Sequence, residues 1–110
     1  MRNPELASLA DALARTRHLL QQHGDTFTAQ RLHDLEDRLN RGEHAAISPA
    51  VSEATGGIGS LNDRFLCVEN GDAIEKHEEA KANACLRALV EEVEQRARAA
   101  ATAHDIHLSR

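Results

Sequence analysis

The sequence predicts an all-α domain: a small bundle of three main helices plus one short helix and a glycine-rich loop. Three observations lead there. Leucines and alanines recur at spacings of three and four in separate runs, the pattern of helices that each bury one face. The six glycines, Gly24, Gly42, Gly56, Gly57, Gly59 and Gly71, fall between those runs, where helix ends and turns belong. A chain of 110 residues is one domain's worth, enough to bury roughly 60–70 % of the surface its unfolded form exposes.

The first helix opens at Asn3 as N-cap, with Pro4 at the first helical position and Glu5 in the first turn. Leu6, Leu9, Ala10, Leu13 and Leu20 form its stripe over about twenty residues, and Gly24 ends it. The second helix runs from about Phe27 to Arg41 and is closed by Gly42, with Leu32, Leu35 and Leu39 facing inward. Asp34–Arg38 and Asp37–Arg41 are acid-before-base pairs four apart, each worth a few tenths of a kcal/mol. The short Gly24-Asp25-Thr26 link folds these two helices into an antiparallel hairpin.

Residues 43–71 are irregular. Ser48-Pro49 reads as a cap and first-turn pair, predicting a short helix through Val51 to Ala54 that Gly56 and Gly57 break. Phe65-Leu66-Cys67-Val68 has strand-like composition but no evident partner strand, so strand and buried extended coil both stay open. Glu69-Asn70-Gly71-Asp72 is a turn. From Asp72 to about Ala103 runs the longest periodic segment, with Ile74, Ala82, Cys85, Leu86, Leu89 and Val93 on one face. Such a helix is about 48 Å long. Its end past Val93 is expected to project or fray, because Ala97 to Ala103 offer little volume to pack. That end leaves pairing with a second copy of the chain open.

Composition narrows the function. Charged residues make up 28 % and hydrophobic residues 41 %, ordinary for a soluble globular domain. The only aromatic residues are Phe27 and Phe65, too few for the stacking platforms that bind single-stranded nucleic acid. A net charge of −5 likewise lacks the basic stripe that phosphate binding needs. No apolar run approaches the roughly 18 residues of a spanning helix, and no export signal is evident, so a cytoplasmic protein without a membrane partner is expected. Cys67 and Cys85 lack a CxxC arrangement and read as buried thiols.

Histidines raise the question of metal. His77-Glu78-Glu79-Ala80-Lys81 starts like HExxH but ends in lysine, so the second imidazole is missing. His104 and His107 fall three apart, on one face if the last helix reaches them. These and the other five histidines (18, 23, 33, 44 and 77) read as solvated surface groups, with no metal and no cofactor expected. Ser60 and Cys67 have no base near them in sequence, so no catalytic residue is assigned.

The least ordinary stretch is Gly56-Gly57-Ile58-Gly59-Ser60-Leu61-Asn62-Asp63. Its three glycines let the backbone take positive φ or approach another group closely. Successive N–H groups in such a loop can also form an anion-binding nest. Neither GxxxxGK[ST] nor a strand-to-helix GxGxxG is present. The favoured reading is a tight turn in which Ser60 and Asp63 cap each other's backbone. The alternative is a small ligand-binding or enzymatic loop with Ser60, Asn62 and Asp63 as its polar groups. This stretch, with residues 43–70 around it, resembles the glycine-rich GGMGS-x-ND signature of a small uncharacterised bacterial domain family. Ile58 stands for the usual methionine, and Arg64 where an apolar residue is commoner. The resemblance implies a bacterial cytoplasmic helical domain and carries over no catalytic residue.

Charge is unevenly spread. Residues 1–42 hold six basic and six acidic side chains, residues 43–71 one and four, and residues 72–110 six and eight. An acidic patch beside a shaped loop steers a basic protein into contact. The expected function is therefore a non-enzymatic protein-binding domain, in concrete form an immunity or antitoxin-like inhibitor of a basic toxin or effector, an analogy of size and charge. Asp63, Glu69, Glu75 and Glu78 are the candidate partner-binding residues, beside a loop shaped by Gly56, Gly57, Gly59, Ser60 and Asn62.

Overall fold

The structure, a computed structural model, describes residues 3–108; Met1, Arg2, Ser109 and Arg110 lie outside the described residues. Those residues form four α-helices and no strand: α1 Pro4–Gln22, α2 Thr26–Asn40, α3 Ile47–Thr55 and α4 Glu79–Ala103. Single 3₁₀ turns at His44–Ala46, Leu61–Asp63, Val68–Asn70 and Lys76–Glu78 fill the connections. The small bundle of three main helices and one short one is as the periodicity predicts. Helix α1 packs against α2 and α4, and α3 lies on α4.

Local chemistry sets the first hairpin. The Asn3 side chain accepts from the amides of Glu5 and Leu6 at 3.0 and 3.2 Å, satisfying two of the free donors at the start of α1. At its other end Gly24 donates to the Gln21 carbonyl and Asp25 to that of Leu20, at 3.1 and 3.0 Å. That closure needs a left-handed residue between cap and chain, and Gly24 supplies it with φ +84°. Asp25 then caps α2 by accepting from Thr28 N–H at 2.9 Å. Arg17 of α1 grips both oxygens of Glu36 on α2, at 2.7 and 2.9 Å, in a largely buried pair that fastens the hairpin.

The pairs Asp34–Arg38 and Asp37–Arg41 do not form. Arg38 and Arg41 both turn to Glu43 beyond the helix end, at 3.2 and 2.9 Å, while Asp34 accepts from Gln30 and Asp37 faces His33. One carboxylate held in the turn serves two guanidiniums, and exposed pairs four apart are too weak to compete. Hydrogen bonds from Arg41 and Arg38 hold the Glu43 carboxyl below its ordinary pKa.

Helix α3 begins earlier than Ser48. The 3₁₀ turn at His44–Ala46 runs straight into it, so Ser48 caps nothing and Pro49 sits in the first turn of α3, where proline is tolerated. Ile47, Ala50, Val51 and Ala54 are its buried face.

Helix α4 starts at Glu79, seven residues after Asp72. Residues 72–75 are drawn elsewhere: Asp72 binds Arg64, and Ala73 exchanges hydrogen bonds with His23 at the end of α1, its N–H donating to the His23 carbonyl at 2.9 Å and its carbonyl accepting from His23 Nδ1 at 2.8 Å. Glu75 and Glu78 then form a reciprocal capping box at the turn that leads into the helix. The alanine-rich end neither projects nor frays. Ala97, Ala100 and Ala101 are buried, because small side chains let α4 lie close to its neighbours, and Pro4 and Ser8 of α1 share a groove with Arg96 and Ala99. Asp105, at φ 53°, closes the end, with Ile106 N–H on the Ala101 carbonyl at 2.7 Å. His104 is the C-cap, and its ring lies 4.1 Å from that of His44, centre to centre. His107 follows the helix, so the two histidines share no helical face.

The core includes Leu6, Leu9, Leu13, Leu32, Leu61, Leu66 and Leu86, all essentially inaccessible, with Leu35 buried beside them. Leu89 is only half-buried. Both cysteines are free thiols; Cys67 is buried, but Cys85 is exposed at the rim of the apolar stripe, in a groove with Leu19, His23 and Lys81.

Candidate functional site

The glycine loop leaves α3 through Gly56, whose N–H donates to the Ser52 carbonyl at 2.7 Å. A Cβ built there would stand 2.5 Å from that same oxygen, so only glycine fits without a shift. Gly59 takes φ +90°, as a specially shaped loop requires. Ser60 and Asp63 do not cap each other. Ser60 Oγ donates to the Gly57 carbonyl at 2.7 Å, the Gly59 N–H donates to Asp63 Oδ2 at 3.3 Å, and Asn62 donates to the Gly56 carbonyl at 3.3 Å. Each polar side chain of the motif fastens a glycine, because the glycine backbone lies bare within reach.

Residues outside the motif complete the brace. Arg31 of α2 forms a two-point pair with Glu53 of α3 and donates to the Gly59 carbonyl at 2.9 Å. Glu53 also accepts from Leu61 N–H at 3.3 Å. Arg87 of α4 donates to the carbonyls of Leu61, Asn62 and Arg64 at 3.0–3.2 Å. Leu61, fully buried, pins the loop to the core. The amides of Gly59 and Leu61 are thus directed at the protein's own carboxylates, which fill the place an anion would take.

Phe65–Cys67 is extended coil with no partner strand, Val68 already opening the next 3₁₀ turn, and the segment's backbone is satisfied by a helix. Glu79, Asn83 and Arg87, spaced by four along α4, face residues 68, 66 and 64, spaced by two along the coil. Glu79 accepts from Val68 N–H at 3.0 Å, and Asn83 both accepts from and donates to Leu66 at 2.8 Å. Leu66 and Cys67 point inward, while Phe65 and Val68 are exposed.

Arg64 anchors the near end of the coil between Asp25, at 2.9 Å, and Asp72. Burial lowers the Arg64 pKa, but the hydrogen bonds it donates to Asp72 and Asp25 outweigh it and leave the guanidinium more firmly charged than usual. Burial pushes Asp25 up in turn, and the hydrogen bonds from Arg64 and Thr28 more than reverse this, holding its carboxyl below the usual range.

Beside the loop lies an open groove of about 240 Å³ lined by Phe27, Thr28, Arg31, Gly59, Ser60, Asp63 and Arg64. Phe27 is 80 % exposed and Ile58, next to Gly59, is completely so; Phe65 follows Arg64 and is also exposed. Both aromatic residues of the chain therefore lie outside the core.

The four acidic candidates are not gathered at one place. Asp63 lines the groove, Glu69 pairs with Lys76 at 2.7 Å, and Glu75 and Glu78 are spent on the capping box. The ammonium of Lys76 holds the Glu69 carboxyl below its ordinary pKa. Among the described residues no group of three or more histidine, cysteine, aspartate or glutamate side chains is placed to hold a metal ion, and no helix is long and apolar enough to cross a membrane. Sequence reasoning missed Arg31, Glu53 and Arg87, although polar residues spaced by four on α4 were a readable sign of a second face at work. No protein-family model matches the chain, and neither a curated protein nor a solved structure matches it.

Proposed function

We propose that the chain is a non-enzymatic protein-binding domain whose partner is a basic protein, in its most concrete form an immunity or antitoxin-like inhibitor of a toxin or effector. One observation carries this reading. Among the described residues every arginine is held by the protein's own carboxylates or, for Arg87, by backbone carbonyls, and of the lysines Lys76 is paired and Lys81 is not. Asp34, Asp63, Glu75, Glu78 and Glu91 have no cationic side chain of the described residues within 4.0 Å. Unpaired carboxylates thus outnumber the described cations without a carboxylate partner, Lys81 and Arg87, and such a surface speeds encounter with a positive one.

The other reading, a small-ligand or catalytic site in the glycine loop, is weakened by the loop's own hydrogen bonds, since Ser60 Oγ and the amides of Gly59 and Leu61 are already engaged. Co-expression with the product of each neighbouring reading frame, followed by co-purification, tests the proposal. A tight complex with a basic product is expected. A thermal-shift panel of nucleotides and phosphorylated metabolites tests the other reading, since a ligand at 100 times its Kd adds roughly 2.7 kcal/mol. Stabilisation there, with no complex in any co-expression, would overturn the proposal.

A further inference from the structure

Resting on the protein-binding reading, we infer that the docking surface is the groove between the start of α2 and the glycine loop, and that it takes a partner segment with one apolar side chain flanked by arginine or lysine. The apolar anchors are Phe27, which lines the groove, and Ile58, which precedes the groove-lining Gly59 in the same loop; they are the two most exposed large hydrophobic residues described. Neither contributes to the core. Each stands on backbone that is held in place: Phe27 in the first turn of a helix capped by Asp25, Ile58 in a loop fixed by Arg31, Asp63 and Ser60. Apolar side chains on a rigid, pre-formed support bind with little ordering cost, which distinguishes a contact point from a stray exposed residue.

The charge around the groove selects the partner. Its two cations are neutralised from within, Arg31 by Glu53 and Arg64 by Asp25 and Asp72. Among the described residues Asp63 on the groove wall has no cationic partner, and neither does Asp34, exposed two helical turns along α2 from Phe27. A second copy of this chain fits poorly. A two-fold contact sets the same patch against itself, and here it would bring two sets of Asp34 and Asp63 together in a molecule of net charge −5. A basic segment meets the same carboxylates with the opposite sign.

A phage-displayed library of random twelve-residue peptides, selected on the immobilised full chain, tests this. The enriched peptides are measured by fluorescence anisotropy against wild type, Phe27→Ser, Ile58→Ser and Asp63→Asn, with far-UV circular dichroism confirming that each variant folds. The peptides should combine a large apolar residue with at least two basic ones. Their affinity should fall about tenfold or more in Phe27→Ser and in Ile58→Ser, and by a few-fold, mostly at low salt, in Asp63→Asn. Peptides that bind all three variants as tightly as wild type would overturn the location while leaving the protein-binding reading intact. Enrichment of acidic peptides would overturn the partner chemistry. A wild-type dimer in sedimentation that Phe27→Ser dissociates would make a second copy the occupant. Failure to enrich any peptide, together with no complex in the co-expressions, would remove the underlying reading as well.

Discussion

Asn83 satisfies both backbone groups of Leu66, accepting from the amide and donating to the carbonyl at 2.8 Å, and it donates again to the Glu79 carbonyl. Asn83→Ala leaves a buried donor and a buried acceptor unmet, so a loss of about 2–4 kcal/mol is expected in urea unfolding. Asn83→Asp should rescue little, because a carboxylate can accept from the amide but cannot donate to the carbonyl. Asp25 supplies a pH dependence. Its folded-state pKa lies below its unfolded value, so its contribution is fully present above about pH 5 and is lost as pH falls through the ordinary aspartate value near 3.9 and on through the lower folded one. Asn can still cap α2 at this position, so Asp25→Asn should lower stability at pH 7 and flatten its decline between about pH 5 and pH 2. Thermal melts across that range read both effects.

The helices differ in how openly the sequence declares them. The ends of α1 and α2 are legible because each is decided within a few residues, by Asn3, Gly24, Asp25 and Gly42. The start of α4 is not, because what keeps residues 72–75 out of the helix comes from far along the chain, from Arg64 and His23. Burial of Ala97, Ala100 and Ala101 is equally hidden, since nothing in an alanine run says that another helix approaches closely. The same division runs through the candidate site. The special shape at Gly59 follows from local composition, whereas the brace of Arg31, Glu53 and Arg87 depends on how three helices pack. Asp105 offers a test at this scale. It ends α4 in a left-handed conformation that costs a non-glycine residue energy, so Asp105→Gly should stabilise the domain by about 1 kcal/mol, raising its melting temperature by a few degrees. Gly24→Ala, at φ +84°, should do the opposite by a similar amount.

At the scale of the molecule the leucine core sets stability. Leu13→Ala and Leu86→Ala should each cost about 2–5 kcal/mol, and Leu89→Ala clearly less, as its side chain is only half-buried; denaturant midpoints decide this. On the proposed protein-binding reading, reversing the charge at Asp63 should slow association with a basic partner more than it speeds dissociation, and the effect should shrink as salt rises. Stopped-flow mixing at several salt concentrations separates the two rates. One arrangement reaches further. Glu79, Asn83 and Arg87 hold residues 64–68 by amides and carbonyls alone, so their grip is blind to which side chains stand at the outward positions 65 and 68. The segment behaves as a fixed frame with interchangeable faces. Substitutions at the outward Phe65 and Val68 should therefore leave the frame intact, so both positions can be randomised without refolding the domain.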